Sequence, residues 1–242
     1  MDATSPAPLA FYDFDGTLVS GNIVSRYAFL VRRLPGRIRS NWKFFRLLTG
    51  VPGYLMLDYV SRRRFNVAFF KEYRGMRLDW LASQAQALFD ELIRPSIYAG
   101  AKHMVEADRV AGFRTFLVSG ELDFILKPVI GYFGFDGCIS NSLVFERGVA
   151  TGEVTPPLIA ESAKVEAMKA VCSQQQGSLR RAKGYSDSFS DLPMLEAVGL
   201  PCAVNPDKRL RAAAEERSWP VRNLRKGEES SGFTGRNYGD IS

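Results

Sequence analysis

The feature that most restricts how this chain can fold is a set of short apolar runs, each stopping abruptly in a polar turn. Residues 9–14 (LAFYDF) close on Asp-Gly-Thr, 114–118 (RTFLV) on Ser-Gly, 182–185 (AKGY) on Ser-Asp and 202–204 (CAV) on Asn-Pro-Asp. Apolar runs of this length without polar alternation read as strands buried on both faces. Residues 101–111, 122–132, 163–172, 192–198 and 208–217 instead space their apolar side chains by three and four, as helices with one buried face do. Strands alternating with helices predict an α/β protein built on a Rossmann-like, doubly wound parallel sheet.

Residues 18–94 break this alternation. They read as successive helices over 23–34, 37–48, 54–73 and 78–92, separated by Leu-Pro-Gly, Val-Pro-Gly and Arg-Gly. The expected division is a core of residues 1–17 and 95–242 with an inserted all-helical cap over 18–94. The aromatics of the insertion, Tyr27, Phe29, Trp42, Phe44, Phe45, Tyr54, Tyr59, Phe65, Phe69 and Phe70, mostly recur at helical spacing and are expected chiefly in its core. A hairpin is expected within 140–154, around Arg147-Gly148. The tail from residue 226 to 242, rich in Gly, Ser and charge, reads as mobile.

Composition narrows the chemistry. The single histidine, His103, excludes mechanisms that need two imidazoles, and with no partner at ligand spacing it is expected at the surface or in packing. Cys138, Cys172 and Cys202 lie about thirty residues apart without a CxxC pair, so they read as small core residues in a reducing compartment. The N-terminus lacks the basic and apolar regions of a signal peptide, and no run of eighteen apolar residues occurs; a cytoplasmic location is expected.

Charge is unevenly spread. Between Gly16 and Arg77 thirteen basic side chains face two acidic ones, Asp58 and Glu72, a local net of +11 that leaves −5 for the rest of a chain whose total is +6. The bland interpretation is a solvated helix face that also attracts an anionic substrate. A sharper one is contact with an anionic membrane surface, because residues 37–48 mix Arg37, Arg39, Lys43 and Arg46 with Trp42, Phe44, Phe45 and Leu47. Nucleic acid ranks last, since no binding motif accompanies the charge.

In open α/β sheets the reactive groups gather beyond the carboxyl ends of the strands. Asp13 and Asp15, two residues apart where a strand gives way to a turn, can face one crevice, and paired carboxylates suit Mg²⁺. Asp187 and Asp191 supply a second acidic pair at another strand end. Ser119-Gly120, at a strand-to-helix turn, offers a hydroxyl and free N–H groups to an anion, for which phosphate is the natural guest. Lys164 brings a cation to the same anion, with Lys169 as the nearby alternative. A metal pair, a phosphate nest and a lysine together describe phosphoryl transfer.

Asp13-Phe14-Asp15-Gly16-Thr17, Ser119-Gly120, Lys164 and Asp187 with Asp191, in that order, resemble the four motifs of the haloacid dehalogenase (HAD) superfamily, over residues 9 to 207. Helices between the first two motifs, Gly184-Tyr185-Ser186-Asp187 and the Asn205-Pro206-Asp207 strand end resemble subfamily IB, the phosphoserine-phosphatase-like hydrolases. The resemblance implies a Rossmann-like core, a helical cap and a Mg²⁺-dependent phosphomonoesterase. It gives Asp13 the role of nucleophile, Asp15 that of general acid and base, and the metal to Asp13, Asp15 (through its backbone carbonyl), Asp187 and Asp191, with Asp191 orienting a bound water or Lys164. Ser119 and the Gly120 amide would hold the phosphoryl oxygens, and Lys164 would offset charge.

Departures fall on the substrate side. Asn22 stands at the substrate-binding position, nine after the nucleophile, where phosphoserine phosphatases usually carry a glutamate. The second motif ends in Glu121 rather than glycine, and Ser190 stands where the fourth often has asparagine. The leading expectation is therefore hydrolysis of a small organic phosphate monoester through an aspartyl-phosphate. The alternatives are a lipid-phosphate phosphatase resembling phosphatidylglycerophosphatases, transfer to an acceptor other than water, and a catalytically silent polyanion-binding protein.

Overall fold

A computed structural model describes residues 6–226; the mobile tail expected beyond them, residues 227–242, lies outside the described residues. The chain runs β1 (Leu9–Tyr12), then helices α1 (Ile23–Arg33), α2 (Arg37–Val60), α3 (Arg62–Phe70) and α4 (Leu78–Leu88), then β2 (Tyr98–Ala99) and α5 (Ala101–Val110). It continues through β3 (Arg114–Leu122), α6 (Asp123–Phe133), β4 (Gly137–Asn141), β5 (Leu143–Glu146), β6 (Val149–Val154) and α7 (Ser162–Gln174). It ends with β7 (Lys183–Ser186), α8 (Leu192–Ala197), β8 (Leu200–Val204), α9 (Lys208–Glu216), β9 (Val221–Arg222) and β10 (Arg225–Lys226).

Six strands form one sheet in the order β4-β3-β1-β7-β8-β9, and every neighbouring pair is parallel. The order reverses at β1, so the crevice beyond its carboxyl end, between β3 and β7, is where such a sheet opens to a ligand. Helices cover both faces. Met168 and Cys172 of α7 pack with Leu9, Phe11 and Val118 on one side. Tyr12, Leu117, Met104 of α5 and Leu126 of α6 form, with the inserted helices, the larger core on the other. Beneath the crevice, buried Asp108 accepts hydrogen bonds from the hydroxyls of Tyr12 and Tyr185 and from Lys183 Nζ, fixing two stacked rings on adjacent central strands.

Local sequence explains the insertion. Asn22 caps α1, accepting from the Ser25 N–H at 2.9 Å, and the buried stripe Ile23, Arg26, Tyr27, Leu30, Val31 follows the helical period. The expected break at Val-Pro-Gly does not occur: α2 runs on through Pro52 to Val60. Pro52 is exposed, where a lost main-chain bond can be replaced by water. The break falls instead at Ser61, whose hydroxyl caps α3, so the helix expected over 54–73 is the end of α2 plus α3.

Most of the insertion's aromatics are in its core: Tyr27, Phe65, Phe69 and Phe70 are buried and Phe29, Phe44 and Tyr54 pack against them, while Trp42 and Phe45 are 64% and 59% exposed. A hairpin from outside the insertion closes against it. β5 and β6 make the expected hairpin, with positive φ at both Arg147 and Gly148 as a tight primed turn requires. The outer strand then hydrogen-bonds to the segment joining α3 and α4 (Gly75 N–H to Ala150 O, Ala150 N–H to Met76 O, Leu78 N–H to Gly148 O), which satisfies an edge that would otherwise stay open. His103 is exposed, and the three cysteines carry free thiols. Among the described residues, no helix is long and apolar enough to cross a membrane.

Candidate active site

At the carboxyl end of β1 the Asp13 N–H bonds to the Tyr185 carbonyl on β7, so the chain leaves the sheet with Asp13 turned into the crevice. The turn that follows depends on Gly16 (φ 79°): a Cβ there would lie 1.9 Å from Asp187 Oδ2. The Asn205 amide at the end of β8 donates to the Gly16 carbonyl and locks the same turn. Between Val118 and Leu122 the β3–β4 register shifts, and the bulge carries Ser119, Gly120 and Glu121. Buried Asn141 holds the bulge, donating to the carbonyls of Gly120 and Ile159 and accepting from the Ile159 N–H.

These elements enclose a polar cavity of about 50 Å³, lined by Asp13, Asp15, Ser119, Gly120, Lys164, Asp187 and Asp191 of the expected set, and by Arg62, Asn66 and Glu161 besides. Its polar lining and small volume suit a phosphoryl group. Lys164 is buried and donates to Asp13 Oδ1 at 2.6 Å and Asp191 Oδ2 at 2.8 Å, whereas Lys169 pairs with Glu166 on the exposed face of α7. Ser186 Oγ also donates to Asp191. Thr17 Oγ1 donates to Asp187 at 3.3 Å. Ser119 Oγ accepts from the Glu121 N–H.

The electrostatics follow from crowding. Burial pushes the Asp13 carboxyl up to about 6, although Lys164 pulls it back. Burial, aided by Asp13 and Asp191, pushes Asp187 up to about 8. For Lys164, burial favours the neutral amine, but Asp13 and Asp191 outweigh it and hold the ammonium above its ordinary range.

One expected residue is not brought to the cavity: Asn22 does not line it, because its carbonyl oxygen is committed to capping α1. Three of the four expected metal residues have a carboxylate oxygen bonded to a cation: Asp13 and Asp191 to Lys164, and Asp15, expected to reach the metal through its backbone carbonyl, to Arg26. Asp191 serves Lys164 and Ser186, and Asp15 is gripped from both sides by the Arg26 guanidinium (2.8 and 2.5 Å), whose Nε reaches Glu121 at 2.5 Å. Among the described residues, no cluster of three or more acidic, His or Cys side chains has ready-made metal-ligand geometry.

Sequence reasoning missed Arg26 and named Glu121 only as a departure from the second motif, not as its partner. Arg26 is 1% exposed and reaches from α1 to both the first and second motifs. Its signal was an arginine inside an otherwise apolar stripe, together with an acid in place of the expected glycine. Glu161 was also missed. It adopts a left-handed φ of 49° ahead of α7, and its carboxylate accepts from Ser61 Oγ and the Arg63 N–H at the start of α3.

The family model for haloacid dehalogenase-like hydrolases matches residues 10–196. The chain belongs to that family. It is 30% identical over 227 residues to phosphoserine phosphatase SerB1 of Mycobacterium tuberculosis, covering 89% of this chain and 70% of that one. It is 29% identical over 230 residues to a histidinol-phosphatase of Neisseria meningitidis, covering 90% and 99%. Among solved structures, a Bordetella pertussis protein of unknown function superposes with a TM-score of 0.76 at 24% identity, covering 90% and 99% of the two chains. A substrate-bound phosphoserine phosphatase superposes at 0.67 and 17%, covering 90% and 93%; these two likenesses show the fold. With the family model and named phosphatases aligned across most of its length, the chain is a hydrolase of the phosphatase type, and a catalytically silent polyanion binder is set aside.

Because the folded Asp187 carboxyl lies above its ordinary 3.8, the stability it contributes is complete below about pH 4 and is lost as pH rises through about 8. In EDTA, Asp187→Asn should therefore raise Tm over wild type by a margin that grows from pH 5 to pH 9, reaching about 3 °C or more. Thermal melts across that range check this; a margin independent of pH would contradict it.

Proposed function

We propose that the protein is a Mg²⁺-dependent phosphomonoesterase that works through an aspartyl-phosphate on Asp13, acting on a small organic phosphate monoester. One observation carries the reading: Asp13, Asp187 and Asp191 line one small polar cavity, in which the Lys164 ammonium is bonded to Asp13 and Asp191. The surplus negative charge fits a dication. The carboxylates of Asp13 and Asp187 and the Asp15 carbonyl would hold it, with Asp191 orienting a bound water or Lys164, in keeping with an ion that takes one or two carboxylates and keeps its waters. When bound, Mg²⁺ supplies positive charge to the phosphoryl oxygens and to the carboxylates around them.

The steps belong to the chain. An Asp13 oxygen attacks phosphorus as the bond to the ester oxygen breaks, and a proton from Asp15 makes the leaving group an alcohol. Arg26 engages both Asp15 oxygens, so it orients that carboxyl, and one of its hydrogen bonds must yield while the proton passes. Ser119 and the Gly120 N–H hold phosphoryl oxygens, and Lys164 offsets charge on Asp13 as it becomes an acyl phosphate. Water then attacks phosphorus, Asp15 takes its proton, and the phosphorus–Asp13 bond breaks to release phosphate. Because Asn22 replaces the usual glutamate and is committed to capping, charge recognition of a substrate ammonium at that position is not expected.

The test is phosphate release from phosphoserine, histidinol phosphate, sugar phosphates and lysophosphatidate, with Mg²⁺ or EDTA. Release should need Mg²⁺ and fall by about a thousandfold or more in Asp13→Asn. Undiminished release in EDTA or in the variant would overturn the mechanism.

A second reading keeps this chemistry and makes the substrate a lipid phosphate at a membrane surface. It is favoured by Ile38, Trp42, Phe45 and Leu48, which recur along α2 at helical spacing, are each more than half exposed, and alternate with exposed Arg37, Arg39 and Arg46. On this reading the protein sediments with phosphatidylglycerol vesicles at low salt, and Trp42→Ser with Phe45→Ser abolishes the binding; wild-type protein remaining in the supernatant would exclude it.

A further inference from the structure

One buried donor in the catalytic cavity has no acceptor. Asn66 lies on α3, one turn after Arg62, and is 2% exposed among Phe65, Phe69 and Phe70. Its Nδ2 makes no hydrogen bond, although Asn66 lines the cavity that holds Asp13, Ser119 and Lys164. The amide stands over the second-motif turn: a Cβ added to Gly120 would meet Asn66 Nδ2 at 3.0 Å.

An unpaired buried amide is costly, and an apolar side chain at this position would avoid the cost. Its position is not slack, because Glu161 fastens the start of α3 through Ser61 Oγ and the Arg63 N–H. The donor is neutral, so it can approach an anion without competing with Lys164 for Asp13 and Asp191. What fits is an anionic oxygen entering between Asn66 and the Ser119-Gly120 turn.

Resting on the phosphatase reading above, we propose that Asn66 is a phosphoryl-binding residue supplied by the inserted helices, its Nδ2 donating to an oxygen of the bound phosphoryl group. The cavity then closes from both sides, with the Ser119-Gly120 bulge on the sheet and Asn66 on α3. Occupancy by phosphate pairs the orphan donor, on an α3 whose start Glu161 already holds to the core.

The experiment compares wild type, Asn66→Leu and Asn66→Asp in Mg²⁺, using p-nitrophenyl phosphate as substrate and inorganic phosphate as ligand. Asn66→Leu, which removes the donor and keeps the bulk, should melt at or above the wild-type temperature. Its kcat/KM should fall about ten- to a hundredfold and its inhibition constant for phosphate should rise similarly, the range for a hydrogen bond to a charged oxygen. The stabilisation by phosphate that wild type shows in thermal melts should shrink to match. Asn66→Asp, equal in shape but anionic, should lose more. A structural role would lower Tm and leave the phosphate constant alone. Wild-type kinetics and phosphate affinity in Asn66→Leu, or in Asn66→Asp should the leucine variant not fold, would overturn the proposal. If wild type releases no phosphate from any ester, the phosphatase reading fails, and the inference is then decided by phosphate affinity alone, which must still weaken in both variants.

Discussion

Five carboxylates converge at the carboxyl end of the central strands, and two buried cations answer them. Asp13 and Asp191 share Lys164, with Asp187 lining the same cavity; Asp15 and Glu121 share Arg26. Charges buried this way are costly unless paired, so the fold around them is constrained to keep each pair in register. The Gly16 turn, the bulge at Ser119-Gly120-Glu121, the Asn141 and Asn205 amides and the stacked tyrosines over Asp108 all fix those positions. The remaining imbalance lies at Asp187, whose hydroxyl partner Thr17 brings no charge. That is where the site has most to gain from a dication.

The same imbalance ties the two parts of the chain together. Arg26 comes from α1 and closes on the first and second motifs, Glu161 holds the start of α3, and the β5–β6 hairpin pairs with the segment between α3 and α4. The insertion is therefore fastened to the rest of the chain at these three places, one of them ionic and inside the crevice. Breaking the Arg26 grip from one side would leave a buried charge unpaired.

Much of this was legible in the sequence. The strand ends could be read because apolar runs without alternation stop at polar turns, and the reactive side chains follow from where those turns fall. Lys164 could be preferred to Lys169 only through the family resemblance, since helical spacing places one on the buried face only once the sheet is known. What could not be read depends on context. Pro52 punctuates most helices, yet on an exposed face it did not end α2. Trp42 and Phe45 share the spacing of core aromatics and face outward. Arg26 looks like a solvated charge until Glu121 supplies its partner, and Asn22 sits at a family position while serving as a helix cap.

The measurement that bears most directly on this account is peptide mapping of enzyme acid-quenched during turnover of its fastest substrate in Mg²⁺. The account predicts one added phosphoryl group, carried by Asp13, labile to hydroxylamine and absent from Asp13→Asn. A phosphoryl group on Ser119 or any other residue, or steady turnover with none bound to the protein, would contradict it.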